Sequence, residues 1–339
     1  MRYTGSLLLF LTLLLFGVPA QAWTPDLLGD GYEMEYVDQP ADYEGPVRSA
    51  VVRKLVPDSV TPRAAVLYIH GFNDYFFQKS MGDEFVDHGY DFYAVDLRRY
   101  GRSIMPGQKP FRVRNIDEYF PDIDSAVVRI RSSGVRRVVL CGHSTGGLIA
   151  SCYLSRNPQP DIKALVLNSP FLDWNLGWKE KLVPLISFWG KFFPDTRISQ
   201  GDSDAYSSSL LASGHGEWTF NTDWKMPQSP DVDAGWVRAI TMAQKSLRDG
   251  KARIDVPILL MYSARSVDSA VWTPGVSRAD CVLDVADIRK YGRELGPDVT
   301  CVRVEGGIHD LVLSAKNVRE PLYRYIFMWL GRELPAQKH

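Results

Sequence analysis

The segment that most constrains the fold of this chain is an apolar run that meets Gly-His-Ser-Thr-Gly at positions 142–146. Residues 135–141 favour a β-strand, and residues 145–157 favour a helix. A serine at the tip of such a sharp connection has a strained backbone, and both flanking glycines lie where a Cβ would clash. The pattern predicts a nucleophile elbow with Ser144 at its tip. A chance Gly-x-Ser-x-Gly in a loop would not account for the flanking strand and helix.

Apolar runs with strand character alternate with helical segments along most of the chain, and the lead-in from Trp23 to Asp42 is expected to be extended and irregular. The alternation predicts an α/β fold with a mostly parallel sheet and helices on both faces. Strands are predicted at residues 47–55, 64–69, 90–97, 135–141, 162–167, 257–262 and 299–304. Four polar residues come just after predicted strands: His70, Ser144, Asp280 and His309. We expect them at the edge of the sheet where ligands bind in such folds.

From Asp173 to about Asp249 the alternation stops, and this stretch is rich in aromatic residues. We predict that residues 173–250 form a cap inserted between two parts of the core, 23–172 and 251–339. Such a cap would shape an apolar pocket over the sheet edge and exclude water. Alternatively, most of its aromatic side chains form a small core of the cap itself; they are Trp174, Trp178, Phe188, Trp189, Phe192, Phe193, Trp218, Phe220, Trp224 and Trp236.

The first residues have the pattern of a secretory signal peptide. Met1-Arg2 gives a positive start, residues 7–18 are apolar, and Ala20-Gln21-Ala22 is a small-x-small cleavage site. The apolar run is shorter than the ~20 residues that a membrane-spanning helix needs, which disfavours an uncleaved anchor. The pattern predicts cleavage after Ala22 and an exported protein, periplasmic or secreted.

Charge and cysteine content exclude some partners and cross-links. The formal net charge is −1 and the pI is about 6.6, so no nucleic-acid partner is expected. Export permits disulfides, but no two of the four cysteines are expected to bring their Cα atoms within the ~7 Å that a bridge requires. We therefore predict buried free thiols at Cys141, Cys152, Cys281 and Cys301.

Four motifs together resemble the α/β-hydrolase superfamily, and within it the branch of monoglyceride lipases and lysophospholipases, which also includes related serine peptidases. The resemblance extends from about Ala64 to Leu330 and implies a serine hydrolase with an inserted cap and without a metal or organic cofactor. The motifs are His70-Gly71, Asp96-Leu97-Arg98-x-x-Gly101-x-Ser103, the elbow, and Gly306-Gly307-Ile308-His309.

A serine hydroxyl needs a base within hydrogen-bond reach, and the base comes last in the chain order that this fold uses. His309 is the only histidine beyond Ser144 that follows a core strand, so we predict that it is the base. The other candidates have other expected places: His215 in the cap, His339 in the terminal tail, His70 and His143 packed around the turns of the site, and Asp310 as a cap or facing away.

The acid that orients the base is harder to predict. Resembling enzymes carry it in a Gly-x-x-Asp setting after the strand 257–262, but here Ser266 stands at the aspartate position. We favour Asp280, because treating residues 266–279 as an insertion restores the spacing to the next helix and to His309. Asp268 and Asp284 remain as alternatives.

The oxyanion hole needs two backbone donors aimed at the developing charge. The residue after the nucleophile supplies one, the N–H of Thr145. The resemblance places the other at the N–H of Phe72, and Gly71 lets this turn approach the substrate. A plain His-Gly turn would have the same sequence.

Three hypotheses for the function follow. The first is an ester hydrolase acting on lipid-like or small acyl esters, such as a monoacylglycerol or lysophospholipid. It would contact a membrane surface transiently. The sequence predicts no particular oligomeric state. The second is an aminopeptidase or amidase whose cap holds a substrate amine with acidic side chains. The third is a non-catalytic binding scaffold, which the serine at position 266 would favour. The acidic candidates for the second are Asp202, Asp204, Glu217, Asp231 and Asp233.

Overall fold

A nine-stranded sheet forms the centre of the part of the chain that the structure, a computed structural model, describes: residues 23–249 and 253–335. The predicted signal peptide lies outside these residues. In chain order the strands are β1 (Thr24–Pro25), β2 (Glu33–Asp42), β3 (Gly45–Lys54), β4 (Ala65–Ile69), β5 (Asp91–Asp96), β6 (Val138–His143), β7 (Ile162–Asn168), β8 (Arg197–Ile198), β9 (Val232–Asp233), β10 (Ile258–Ser263) and β11 (Val299–Val304).

The α-helices are α1 (Lys79–Asp87), α2 (Phe120–Ser132), α3 (Thr145–Arg156), α4 (Val183–Trp189), α5 (Ala205–Leu210), α6 (Ala234–Arg248), α7 (Val285–Gly292) and α8 (Lys316–Glu333). Short 3₁₀ helices occupy Gly101–Ser103, Ile116–Tyr119, Gly177–Leu182, Val276–Arg278 and Leu311–Leu313.

The sheet is parallel from β5 to β11 and antiparallel at its first edge. Its order is β1-β2-β3-β5-β4-β6-β7-β10-β11, while β8 and β9 pair separately. Alternate residues of β4 belong to two buried clusters, one on each face: Leu67 packs on one side and Val66 on the other. Burial on both faces explains why these strands are continuous apolar runs. The predicted mostly parallel α/β sheet is confirmed.

The lead-in differs from the sequence expectation. Residues 33–42 are not irregular but form β2, which pairs antiparallel with β3 and is interrupted by a register shift between Gln39 and Asp42. The strand holds several acidic residues and Pro40, and these residue types are rare in strands. β2 tolerates them because β1 pairs with it only at Glu33 and Met34, so most of its outer side needs no ladder partner.

Buried ion pairs and hydrogen bonds hold the polar turn after β5 in place. Arg102 donates to Asp26 and Asp96 at 2.7 and 2.8 Å, and all three side chains are buried. The hydroxyl of Ser103 donates to the carbonyl of Asp96 at 2.6 Å. Buried ion pairs of this kind need such multiple hydrogen bonds to offset desolvation. The motif therefore joins the end of β5 to the N-terminal segment.

The region predicted as a cap contains α4, α5, α6 and the β8–β9 pair. Its aromatic residues do not form a core of their own, so the expectation of a separate aromatic core is wrong. Five of them are buried or half-buried against the two main clusters: Trp174, Trp218, Phe220, Trp224 and Trp236. The other five are exposed: Trp178, Phe188, Trp189, Phe192 and Phe193.

All four cysteines are free, as predicted, but only Cys141 and Cys152 are buried; the prediction of burial is wrong for Cys281 and Cys301, which are partly exposed. Burial raises the pKa of the Cys141 and Cys152 thiols to about 12, which keeps them protonated at neutral pH. Among the described helices, none is both long enough and apolar enough to cross a bilayer.

Candidate active site

Ser144 lies at a strained turn between β6 and α3, with φ 52° and ψ −118°. This is a backbone conformation that non-glycine residues rarely adopt, and it aims the side chain away from both elements. The turn is also too tight for side chains on its flanks. A Cβ at Gly142 would lie 2.6 Å from the carbonyl oxygen of Gly146, and one at Gly146 would lie 2.2 Å from that of Ile69. These are the features expected of a nucleophile elbow.

The three predicted side chains of the catalytic triad lie in one hydrogen-bonded line. Nε2 of His309 is 3.0 Å from Oγ of Ser144, and Nδ1 is 2.8 Å from Oδ2 of Asp280. Because a carboxylate can only accept, Nδ1–H donates to Asp280 and Nε2 is left to accept the serine proton. Asp280 is fully buried, and His309 and Ser144 are nearly so.

Asp280 reaches this place across a long loop rather than directly from a strand, which corrects the expectation that it follows one. The loop leaves β10 at Ser263 and returns so that Asp280 pairs with Ser266 as an isolated parallel bridge. The N–H of Asp280 donates to the carbonyl of Arg265 at 3.0 Å, and the N–H of Val267 donates to the carbonyl of Asp280 at 2.8 Å. The insertion is thus closed by a short stretch of sheet-like bonding.

Ser266, which stands at the family's aspartate position, helps to hold that loop. Its hydroxyl donates to the carbonyl of Leu283 and accepts from the N–H of Val285, both at 2.9 Å. The alternative acids lie elsewhere. Asp268 is exposed, and Asp284 caps α7 by accepting from the N–H of Ala286 at 2.8 Å. Neither contacts His309.

The two predicted oxyanion donors flank the nucleophile. Thr145 begins α3, so its N–H belongs to the free first turn of a helix, and Phe72 follows β4 in the neighbouring turn. Within the described residues, neither N–H donates to a protein acceptor. A Cβ at Gly71 would lie 3.2 Å from Cβ of Ser144, which shows how closely the two turns approach.

The remaining polar residues at the sheet edge support these turns, as expected. His70 accepts from the N–H of Leu97 at 3.1 Å, so its Nδ1–H donates to the carbonyl of Gly71 at 2.8 Å. His143 lies beside His309, and burial lowers its pKa although Asp310 acts in the opposite direction. Asp310 caps the turn after His309 by accepting from the N–H of Val312 at 3.3 Å.

One cluster of potential metal ligands adjoins the site. Single donor atoms of Asp74, His143 and Asp310 lie within 4.8 Å of one another. Their carboxylates are already engaged: Asp74 pairs with Lys225, and Asp310 accepts from Asn168 at 2.7 Å. The positive charge of the Lys225 ammonium group, in contact with Asp74, disfavours binding of a divalent cation at this cluster. The reacting group of the site is therefore the hydroxyl of Ser144.

A cavity of about 200 Å³ opens over Ser144. Its walls are largely apolar and come from both the core and the cap: Phe72, Phe171, Trp174, Leu176, Trp236, Val282 and Leu283. Sequence reasoning missed its polar residues Asp74, Tyr206 and Lys225. The position of Asp74, four residues beyond His70, was the one local signal that could have indicated it.

Comparison with known proteins identifies the family. The model of the family described as serine aminopeptidase, S33, matches residues 60–314, which is more than half of the chain. This chain is a member of that α/β-hydrolase family. It is therefore a hydrolase of the α/β superfamily, as the resemblance of its motifs implied.

Individual relatives are distant. The chain is 23% identical over 210 residues to the AB hydrolase superfamily protein YisY of Bacillus subtilis, covering 59% of this chain and 73% of that protein. A soluble variant of monoglyceride lipase from Saccharomyces cerevisiae, solved with a substrate analog, has a TM-score of 0.67 at 17% identity over 89% of this chain and 96% of that one. The monoacylglycerol lipase of Paleococcus ferrophilus has a TM-score of 0.61 at 20% identity over 84% and 98%. At these identities the solved structures establish the shared fold.

Proposed function

We propose that this hydrolase cleaves carboxylic esters of lipid-like or small acyl substrates, such as a monoacylglycerol or lysophospholipid, through an acyl-enzyme on Ser144. The observation that carries the proposal is the buried line Ser144–His309–Asp280 at the floor of an apolar cavity. An acyl chain gains about 0.8 kcal/mol for each CH₂ that such walls bury.

In the proposed mechanism each group has a defined role. As Oγ of Ser144 attacks the ester carbonyl, its proton passes to Nε2 of His309, and the oxyanion forms beside the N–H groups of Phe72 and Thr145. The imidazolium then protonates the leaving alcohol as the C–O bond breaks. Water, deprotonated by the same nitrogen, then attacks the acyl-enzyme. The bond between the acyl carbon and Oγ of Ser144 breaks, the imidazolium returns its proton to Oγ, and the carboxylic acid is released. Asp280 stabilises the imidazolium without taking its proton.

The charges around the site favour esters over peptides with a free amino terminus. Among the described residues that line the cavity over Ser144, Asp74 is the only acidic one, and Lys225 already neutralises it at 3.0 Å. The acidic side chains considered for an amine site are paired with arginines or exposed to solvent: Glu217 with Arg319, Asp231 with Arg197, Asp233 with Arg112, and Asp202 and Asp204 exposed. Asp268 lines an adjoining cavity and is exposed to solvent. An ion pair between an exposed carboxylate and a substrate amine would contribute little to binding energy.

Replacing Ser144 with alanine is expected to abolish turnover of p-nitrophenyl acyl esters and labelling by a fluorophosphonate probe. Removing the nucleophile of such a triad costs a factor on the order of 10⁶ in kcat. The wild type is expected to prefer acyl esters to aminoacyl amides, and a series of chain lengths would define the acyl group. Full ester hydrolysis by the alanine variant would refute the acyl-enzyme, and a preference for aminoacyl amides would favour the aminopeptidase hypothesis instead.

An exposed apolar surface beside the cavity supports transient contact with an anionic lipid surface. Leu176 belongs both to this surface and to the cavity wall. The surface consists of Leu176, Trp178, Leu182, Leu185, Phe188, Trp189, Phe192 and Phe193, each between 42% and 72% exposed. Lys179, Lys181 and Lys191 lie among them with the single acid Glu180. The C-terminal end of α4 packs closely against the start of α6, because a Cβ at Gly190, the C-cap, would lie 2.1 Å from the carbonyl oxygen of Ala234. Apolar and aromatic side chains interspersed with lysines match the headgroup boundary of an anionic bilayer.

Changing Trp178, Phe188 and Phe192 together to serine is expected to lower partition onto phosphatidylglycerol vesicles at least about tenfold, because less apolar area is then buried at the interface. Hydrolysis of a water-soluble ester should stay unchanged. The matched control changes three exposed apolar residues elsewhere, Leu27, Val60 and Val271, to serine. Two results would contradict a lipid-docking role. One is equal binding of both triple variants to the vesicles. The other is self-association of the wild type in the absence of lipid, if the first triple variant abolishes it.

We also propose that the protein is exported and that Trp23 is the mature N-terminus. The support is the sequence pattern of residues 1–22 alone. Amino-terminal sequencing of the protein purified from its own cells is the test, and a retained Met1 would overturn the proposal.

A further inference from the structure

We infer that the cap segment Asn221–Met226 is a structural part of the oxyanion hole, and that Asn73 is the positioning residue that connects the two. The inference rests on the proposed acyl transfer at Ser144. It concerns the turn Phe72–Tyr75, whose first residue supplies one of the two predicted oxyanion donors. Three consecutive residues of that turn are bonded to this one segment of the cap.

Asn73 makes the closest connection. Its side-chain amide donates to the carbonyl of Met226 at 2.9 Å, and its side-chain carbonyl accepts from the N–H of Met226 at 2.8 Å. Two bonds to both backbone groups of one residue fix the direction of the side chain as well as its position. Asn73 has φ 49°, a left-handed conformation in which asparagine is tolerated better than most residues. Its backbone is therefore held by the cap directly after Phe72.

The next two residues extend the connection. The ammonium group of Lys225 donates to Asp74 at 3.0 Å, with both side chains at least nine-tenths buried. The N–H of Asn221 donates to the hydroxyl of Tyr75 at 2.8 Å. The ring of Tyr75 also packs edge-on against Trp224, with 5.1 Å between ring centres. All four bonds join residues 73–75 to residues 221–226.

The donor residue itself touches the cap as well. The ring of Phe72 packs against Trp236 of α6 at 4.7 Å and against Phe111 at 5.1 Å. The turn has no regular secondary structure of its own that would fix the direction of the Phe72 N–H. An oxyanion donor is effective only where its direction is set before the charge develops, because reorientation during the reaction would cost the energy it supplies. In this protein two contacts provide that setting. His70 holds the carbonyl of Gly71, which shares a peptide unit with the Phe72 N–H, and the cap holds Asn73 directly after it.

A purely structural role for these bonds would have a different signature. If they only held the cap in place, their loss would lower stability or substrate binding and leave the chemical step unchanged. If they position the Phe72 N–H, their loss must weaken the transition state more than the ground state. The two roles therefore separate in kcat, in KM and in the affinity for an analogue that carries a tetrahedral oxyanion.

The test is Asn73→Gly, which permits the same positive φ and removes both bonds to Met226. We expect kcat for a p-nitrophenyl acyl ester to fall about 10- to 100-fold, less than complete loss of one donor, with KM within about threefold. Affinity for an alkyl boronic acid, which forms a tetrahedral adduct on Ser144, should fall by the same factor as kcat. Asn73→Asp keeps the acceptor for the Met226 N–H and should recover part of kcat.

The matched control is Asn115→Ala. Asn115 lies outside the cavity over Ser144, and its side-chain carbonyl accepts from the N–H of Asp117 at 3.1 Å, away from the oxyanion turn. Its kcat should stay near that of the wild type. The inference is overturned if Asn73→Gly keeps kcat, changes only KM, or loses no more boronate affinity than the control. If Asn73→Gly does not fold, the same readouts on Asn73→Asp decide. Absence of ester hydrolysis by the wild type would instead count against the proposed function.

Discussion

Changing Asp280 to asparagine is expected to lower kcat for ester hydrolysis by about four orders of magnitude while the protein stays folded. In the wild type, Oδ1 of Asp280 accepts from the N–H groups of Val282 and Leu283, both at 2.8 Å, and Oδ2 accepts from Nδ1–H of His309. An amide cannot satisfy all three donors. With its oxygen kept on the loop, its NH₂ faces the imidazole, which must then present a bare Nδ1 and carry its proton on Nε2. That tautomer cannot accept the proton of Ser144.

The same loop offers two control variants, Asp268→Asn and Asp284→Asn. The first removes an exposed charge and should leave kcat within about twofold, since surface substitutions rarely have larger effects. The second weakens the cap of α7 and should cost on the order of 1 kcal/mol of stability or less. Steady-state kinetics on one ester, with thermal unfolding of each variant, separates the three. An active Asp280→Asn beside an inactive Asp268→Asn would place the acid two residues beyond Ser266 instead.

Ser144 could be predicted from a local sequence pattern, whereas Asp280 could not. The nucleophile lies inside a local pattern whose geometry is dictated by neighbours two residues away, so the strand, glycines and helix together predict it. The acid is connected to its base by a loop whose closure depends on the bridge between Ser266 and Asp280. Such a contact leaves no local pattern. Only the spacing of a resembling family favoured Asp280 over Asp268, and the structure brings Asp280 to His309.

The fold shows the same division between local and distant causes. The buried parallel strands were predictable because they are apolar on both faces, whereas β2, whose outer side is mostly unpaired, was not. The exposed aromatic residues of the cap were misjudged for a related reason: composition indicates that they are apolar but not what covers them. The connection between Asn73 and Met226 spans 153 residues of the chain, and neither residue type alone suggests it.

The second large effect is expected at the elbow itself, where Gly146→Ala should destabilise the protein by about 3 kcal/mol or more. The added Cβ would lie 2.2 Å from the carbonyl oxygen of Ile69 and 2.4 Å from that of His70. Both atoms belong to the backbone at the end of β4, in the middle of the sheet, and cannot move aside as a side chain could. Overpacking in a rigid core costs about 1–3 kcal/mol, and a clash with fixed backbone lies at or beyond the upper end.

Gly331→Ala is the matched control, because Gly331 also lies in a helix, α8, but a Cβ there has its nearest neighbour at 3.8 Å, the end of the Arg63 side chain. It should raise stability by up to about 1 kcal/mol, the difference in helix propensity between the two residues. Urea unfolding of both variants gives the comparison. The folded fraction of Gly146→Ala should also lose activity, since relief of the clash moves α3, which carries the N–H of Thr145, away from the turn that carries the N–H of Phe72. A Gly146→Ala protein as stable and active as the wild type would show that the elbow is less tightly packed than this geometry requires.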